Sequence, residues 1–218
     1  MVLDPGHSGK NLQVVDAQTG LVDHDYPNHP EMEEMFRVAQ KVAAILEKAG
    51  YQVVYTKKAV TDSVTLRQRA TIAQDARAAL AVSIHDDHTQ PYQSFAQVYA
   101  QRVGAWRGGT ASQPKVVFSN VSVAEKSESF ADIFAKERAL TEGHPVTVTA
   151  VSFDGRAGLE PGNIPEVQLF AGGMASSLTD HPVPWIYNEV GGIGFGTKQE
   201  QAYAQGLAKA IEKCVVRP

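Results

Sequence analysis

The sequence predicts an α/β fold with three layers, α/β/α, around a twisted, largely parallel (mixed) central sheet. Three observations predict it. Short β-branched and apolar runs alternate with stretches of helical period. The stretches between the early runs are long enough for crossover helices, which parallel neighbours require. Polar residues cluster where the runs end, as they do when a ligand site forms at the carboxyl ends of the strands of an open α/β sheet.

In chain order, Val2-Leu3-Asp4 is a short strand stopped by Pro5-Gly6. Residues 10–30 are polar and read as a loop. Pro30 opens a helix, because its missing N–H has no partner in the first turn. Met35, Val38, Val42, Ile45 and Leu46 recur at three- and four-residue steps, and Gly50 stops them. Tyr51–Thr56 is a strand, Leu66 to about Ala79 a helix, Ala81–His85 a strand, and Gln97–Arg102 a further strand. Residues 104–123 read as irregular. Glu125 to about Thr141 reads as a helix with Phe130, Ile133, Phe134 and Leu140 on one side. Residues 142–183 have little periodicity apart from a strand-like run, Val146–Phe153. Pro184–Val190 is a strand, Gly191–Gly196 a tight turn, and Lys198–Cys214 the closing helix. No repeat or low-complexity linker divides the 218 residues, so one domain is expected, with an atypical, insert-like segment within about 95–183.

Composition excludes several classes. The chain is 43% hydrophobic and 20% charged, with net charge −4 and no Lys/Arg run longer than two, so it carries no electrostatic footprint for nucleic acid. No run of about 18 apolar residues spans a membrane. One cysteine, Cys214, rules out an intrachain disulfide and a thiolate-rich metal site. Met1 leads directly into Val2-Leu3 without a basic or apolar leader, so any export signal is expected to have been removed or omitted.

The strand ends supply the chemistry. The first gives Asp4-Pro-Gly-His7, the third His85-Asp86-Asp87-His88, and the last Asn188-Glu189; the first helix adds Glu31, Glu33 and Glu34 at its start. Two histidines and a carboxylate at one sheet edge form a zinc set that leaves a position for water. A separate carboxylate, for which Glu189 is placed, can then move the proton. Blander readings stand beside these. His7 suits a turn, His85 a buried strand end, Asp4 and Asp86 suit turns, and Glu33 and Glu34 suit a first helical turn favoured by the dipole. Arg69 suits a structural ion pair, Lys57 a solvated strand end, and Trp185 the core. Trp106 suits a loop anchor or a sugar-stacking ring.

Val2-Leu-Asp-Pro-Gly-His-Ser-Gly9 resembles the opening of the zinc-dependent N-acetylmuramoyl-L-alanine amidases of the Amidase_3 type. Gly50-Tyr-Gln-Val-Val-Tyr-Thr-Lys57, Leu66–Arg69, Ser83-Ile-His85 and Pro184-Trp-Ile-Tyr-Asn-Glu-Val-Gly191 are similar to that family's later segments, in the same order. The resemblance implies that His7, Glu31 and His85 are the ligands of one Zn²⁺ per chain. Glu31 is the carboxylate 19 residues before Gly50. It further implies that Glu189 is the catalytic glutamate, and it leaves Asp4, Asp86, Asn188 and Arg69 as supporting or substrate-facing residues. Ser8, Lys57, Gln74 and the Asp86-Asp87-His88 run depart from the family's usual residues, and 95–180 matches poorly.

The function implied is hydrolysis of the amide between N-acetylmuramic acid and L-alanine in peptidoglycan, in the periplasm, at the cell wall or outside the cell, with a protein activator as a partner. Two alternatives remain. A zinc carboxypeptidase-like peptidase would need an arginine such as Arg102, Arg107 or Arg156 to hold a terminal carboxylate. A catalytically silent peptidoglycan-binding module would need a lost ligand or base.

Overall fold

A computed structural model describes residues 1–17, 19–107, 115–150, 167–173 and 181–216. Six strands form the main sheet: β1 (Val2–Pro5), β4 (Val54–Tyr55), β5 (Ala81–Pro91), β6 (Ala96–Ala100), β9 (Thr147–Ala150) and β10 (Trp185–Ile193), in the order β4-β1-β5-β10-β6-β9. β4, β1, β5 and β10 run parallel; β6 is antiparallel to β10, and β9 is parallel to β6. The mixed sheet flanked by helices is the predicted architecture.

Helices cover both faces. On one, α1 (His29–Lys48) buries Met35, Val38, Val42 and Leu46 against Leu3, Val82 and Ile84 of the sheet. α3 (Val121–Glu142) and α4 (Thr197–Cys214) extend this layer through Phe134, Leu207 and Ile211. On the other, α2 (Leu66–Asp75) and a short π-helical turn (Leu169–Gly173) pack Ala70, Ala73 and Phe170 against Val2, Ala81 and Trp185. α2 starts where sequence says it should. Thr65 Oγ1 accepts from Gln68 N at 3.1 Å while Gln68 Oε1 accepts from Thr65 N at 2.9 Å, so two first-turn donors are satisfied reciprocally.

Several expectations are corrected. Residues 10–30 contain a hairpin, β2 (Leu12–Val15) with β3 (Val22–Asp25), rather than only loop. Residues 104–123 likewise hold β7 (Gly104–Arg107) paired with β8 (Lys115–Phe118). The first hairpin is half polar, and the apolar residues of the second come in runs of only two or three, so neither shows a strand-length pattern. β5 does not stop at His85 and β10 does not turn at Gly191. The two continue together, with Gly191 opposite Asp87 and Ile193 opposite Pro91. Ladder hydrogen bonds are indifferent to side-chain polarity, so the polar and glycine residues that suggest an end do not make one. Leu140, expected on the buried side of α3, is 72% exposed. The strand-like run of 146–153 is described only to Ala150, as β9.

Candidate metal centre

β1, α1 and β5 bring the site together with β10 alongside, just past the end of β1 and midway along β5 and β10. His7 follows β1 in a left-handed backbone conformation, φ +60°. Gly6 precedes it, and a Cβ there would run into the imidazole of His85, so only glycine lets the two rings approach. Glu31 lies in the first turn of α1. His85 lies on β5, and its register partner on β10 is Glu189.

Glu31 joins the two histidines. Its Oε2 is 2.7 Å from His7 Nε2 and its Oε1 is 2.8 Å from His85 Nδ1. The three side chains are buried, and one ligand atom from each lies within 4.8 Å of the others. Asn28, the residue capping α1, donates from Nδ2 to Glu31 Oε2 at 2.7 Å and fixes the carboxylate. Burial alone would raise the Glu31 carboxyl, but its bonds to His7 and His85 outweigh that and hold it down at about 2. Burial works against charge on His7, yet Asp25 and Glu31 push it up to about 9. Burial keeps His85 below the usual imidazole range despite Glu31. Two imidazoles and an ionised carboxylate, converging through ring nitrogens and carboxylate oxygens, form a donor set that suits a borderline divalent cation.

The surroundings fix each ring. His7 Nδ1 lies 3.1 Å from the Tyr26 carbonyl oxygen and 3.6 Å from Asp25 Oδ1, acceptors that keep a proton on this nitrogen while Nε2 faces Glu31. Tyr187 stacks on His85 with ring centroids 4.3 Å apart. The carbonyl of His7 accepts from Arg69 and, at 2.9 Å, from Lys57 Nζ, which also donates to the Gly6 carbonyl at 2.7 Å. Lys57 is therefore not a solvated strand end. It is 1% exposed, and burial beside Arg69 lowers its ammonium to about 8.

The remaining sequence candidates have definite places. Asp4 accepts from Thr56 at 2.6 Å, Arg69 at 2.7 Å and Ser83 at 2.7 Å, and Arg69 also reaches Asp25 at 3.2 Å. This is the structural ion pair expected of Arg69, placed directly beneath the His7 turn. Asn188 donates to the Ser83 carbonyl at 3.3 Å and accepts from Arg138 at 3.3 Å. Asp86 presents its backbone N–H to Glu31 Oε1 at 3.3 Å, but its side chain turns toward Glu34 and His88. Burial and the neighbouring Glu34 carboxylate push Asp86 up to about 9. Glu189 is pushed up to about 7, first by burial, then by the charges of Glu31 and Asp87.

Trp185 is core as expected, with its indole N–H donating to Ser83 Oγ at 2.7 Å. Gln74 ties α2 to the π-helical turn through the carbonyls of Phe170 and Ala171. Arg102 pairs with Glu128 at 2.9 Å and follows the end of β6 that lies away from the triad. The side chains of Trp106 and Arg107, and all of Arg156, lie outside the described residues.

Sequence reasoning missed Asp25, Tyr26, Asn28 and Tyr187 as contacts of the triad. None left a clear signal: Asp23 and Asp25 share the buried face of β3, but Val22-Asp-His-Asp25 has no apolar alternation to show it.

A comparison with curated proteins finds no match. Solved structures do match. Ami1, the N-acetylmuramyl-L-alanine amidase of Mycobacterium smegmatis, superposes with TM-score 0.66 at 20% identity, over 98% of this chain and 94% of that one. The catalytic domain of CwlV from Bacillus (Paenibacillus) polymyxa var. colistinus gives 0.56 at 19%, over 97% and 95%. The CwlD amidase of Clostridioides difficile, solved in complex with the GerS lipoprotein, gives 0.51 at 15%, over 98% and 96%. At these identities the likeness speaks for the fold. The family model of Amidase_3, N-acetylmuramoyl-L-alanine amidase, matches residues 1–216, so the chain belongs to that amidase family.

Proposed function

We propose that the chain hydrolyses the amide between the lactyl group of N-acetylmuramic acid and L-alanine in peptidoglycan, with one Zn²⁺ held by His7, Glu31 and His85 and with Glu189 as the proton-transferring base. The observation that carries the reading is the convergence of those three ligands beside a strand whose Glu189 is in register with His85. When bound, Zn²⁺ supplies a Lewis acid that polarises the scissile carbonyl and acidifies water.

The chain's own residues do the rest. Tyr26, Asp25 and Tyr187 hold the histidine rings in place, so that the proton between His7 and Glu31 can give way to a cation without either ring turning. Lys57 and Arg69 pin the carbonyl of His7. Glu189, poised near neutrality, takes a proton from water as its oxygen attacks the lactyl carbonyl carbon. As the carbon–nitrogen bond breaks, Glu189 passes that proton to the departing amine of L-alanine. Residues 1–218 act as one catalytic unit in this reading, supported by strands from both ends of the chain that meet at the site. The work takes place on the cell-wall side of the membrane. An activating protein partner belongs to the same proposal, in keeping with CwlD having been solved in complex with a lipoprotein.

The test is metal content together with product analysis on purified peptidoglycan, with and without chelator. One zinc per chain and chelator-sensitive release of intact stem peptides are expected. Release of single amino acids would replace this reading with a carboxypeptidase. Zinc without turnover, even with an activating partner supplied, would replace it with a silent binding module.

A further inference from the structure

We propose that Glu34, Asp86 and His88 form a second divalent-cation site, separate from the His7, Glu31 and His85 triad and built from the same helix and strand. One ligand atom from each of the three lies within 4.8 Å of the others. His88 Nε2 is 3.1 Å from Glu34 Oε2 and 3.5 Å from Asp86 Oδ2.

An independent observation points to a ligand. Asp86 is 2% exposed and directed into this cluster, yet neither of its carboxylate oxygens accepts a hydrogen bond from the described residues. A buried carboxylate without donors is costly, and native structures seldom leave one. The nearby cationic side chains of α1 are already engaged, since Arg37 and Lys41 both bind Glu200. A cation between Asp86, Glu34 and His88 would satisfy both carboxylates at once.

The place of His88 is built as well. A Cβ on Gly192 would lie 2.9 Å from both Cα and Cγ of His88, so the extended β5–β10 ribbon accommodates the imidazole only because residue 192 is glycine. Two carboxylates and one imidazole suit Zn²⁺ or Mn²⁺. Mg²⁺ and Ca²⁺ favour all-oxygen sets, and Cu(I) favours sulfur. The His88 side chain is 38% exposed and Glu34 20%, so the ion would keep water and exchange readily. It would tie the second turn of α1 to β5 just beyond His85.

The rival explanation is a single proton shared by Asp86 and Glu34. The chelator-stripped full chain, titrated with Zn²⁺ and separately with Mn²⁺, distinguishes them by calorimetry and native mass spectrometry. Two classes of site are expected, one tight and one weaker. Asp86→Asn and His88→Gln should each weaken the weaker class by at least about tenfold and leave the tight class. His7→Ala should remove the tight class and leave the weaker one, so this proposal and the amidase reading fail separately. His88 is half-exposed, so its variant is expected to fold, and circular dichroism checks this. A single class in the wild-type chain would overturn the proposal in favour of the shared proton. So would a weaker class indifferent to both Asp86→Asn and His88→Gln.

Discussion

Two three-residue clusters lie side by side, and they differ in how their charges are met. Glu31 and Glu34 occupy successive turns of α1, and His85 and His88 lie three residues apart on β5. In the first cluster the carboxylate is buried and accepts from both imidazoles and from Asn28. In the second, Asp86 is buried with no donor, and Glu34 and His88 are partly open to water. The first is supported from beneath by Asp25, Arg69 and Lys57; in the second, Gly192 leaves the room that His88 occupies. A site organised without its ion should bind tightly and resist perturbation, whereas one relying on the ion to neutralise it should bind weakly and exchange.

The largest break in this contrast comes from the first cluster. His7→Ala or His85→Ala is expected to abolish both tight metal binding and turnover, read by metal analysis and peptidoglycan digestion. Glu189→Gln should keep the metal and lose about 10²–10⁴ in kcat, the usual contribution of a general base. Metal loss in that variant would instead make Glu189 a ligand.

The pH profile comes next. The base works only when ionised, so the rate should fall about tenfold per pH unit below its pKa, which lies near 7 in the metal-free chain. A cation in the first cluster pulls that value down, so the limb should lie at or below neutrality. Asp87 raises Glu189 through its charge, and Asp87→Asn should move the limb toward lower pH. A limb unmoved in both Asp87→Asn and Glu189→Gln would assign the titration to another group.

Lys57→Met tests the support under the first cluster. It leaves the Gly6 carbonyl without its ammonium donor while the His7 carbonyl keeps Arg69, a loss of about 1–3 kcal/mol for the one buried acceptor left unsatisfied. At about 2–4 °C per kcal/mol for a chain of this size, thermal melting should register it clearly. The smallest effect is expected from Gly192→Ala, which displaces His88 and should weaken only the second class of metal binding.

The sequence made the parallel core legible because β1 and the opening halves of β5 and β10 are apolar runs that give way to chemically distinctive residues. His7, His85 and Glu189 could be found where those apolar runs give way to polar residues, although β5 and β10 continue past them. Glu31 could not be separated from Glu33 and Glu34 without the family resemblance, since all three sit in the opening turns of α1 and periodicity does not say which one faces the sheet. Lys57 and Asp25 were illegible for a related reason. Each is buried only because an opposite or polar group from a distant segment meets it, and burial of charge by a partner leaves no local trace. The β2–β3 hairpin was hidden in the same way, its strand residues being half polar and its pairing decided by backbone bonds.

The reversal of β6 has a consequence for how this chain can vary. Ala100 pairs with Ile186, and Ala150 with Ala100, so the exit of β9 lies at the same sheet end as the entry of β10 at Trp185. Glu189 and His85 occupy the other end. A connection whose two anchorages share one end can gain or lose residues without shifting the register that sets Glu189 beside His85. New sequence can therefore enter this connection while the catalytic strands keep their alignment, provided that the turn Leu169–Gly173, which packs Phe170 beside Trp185, keeps its place.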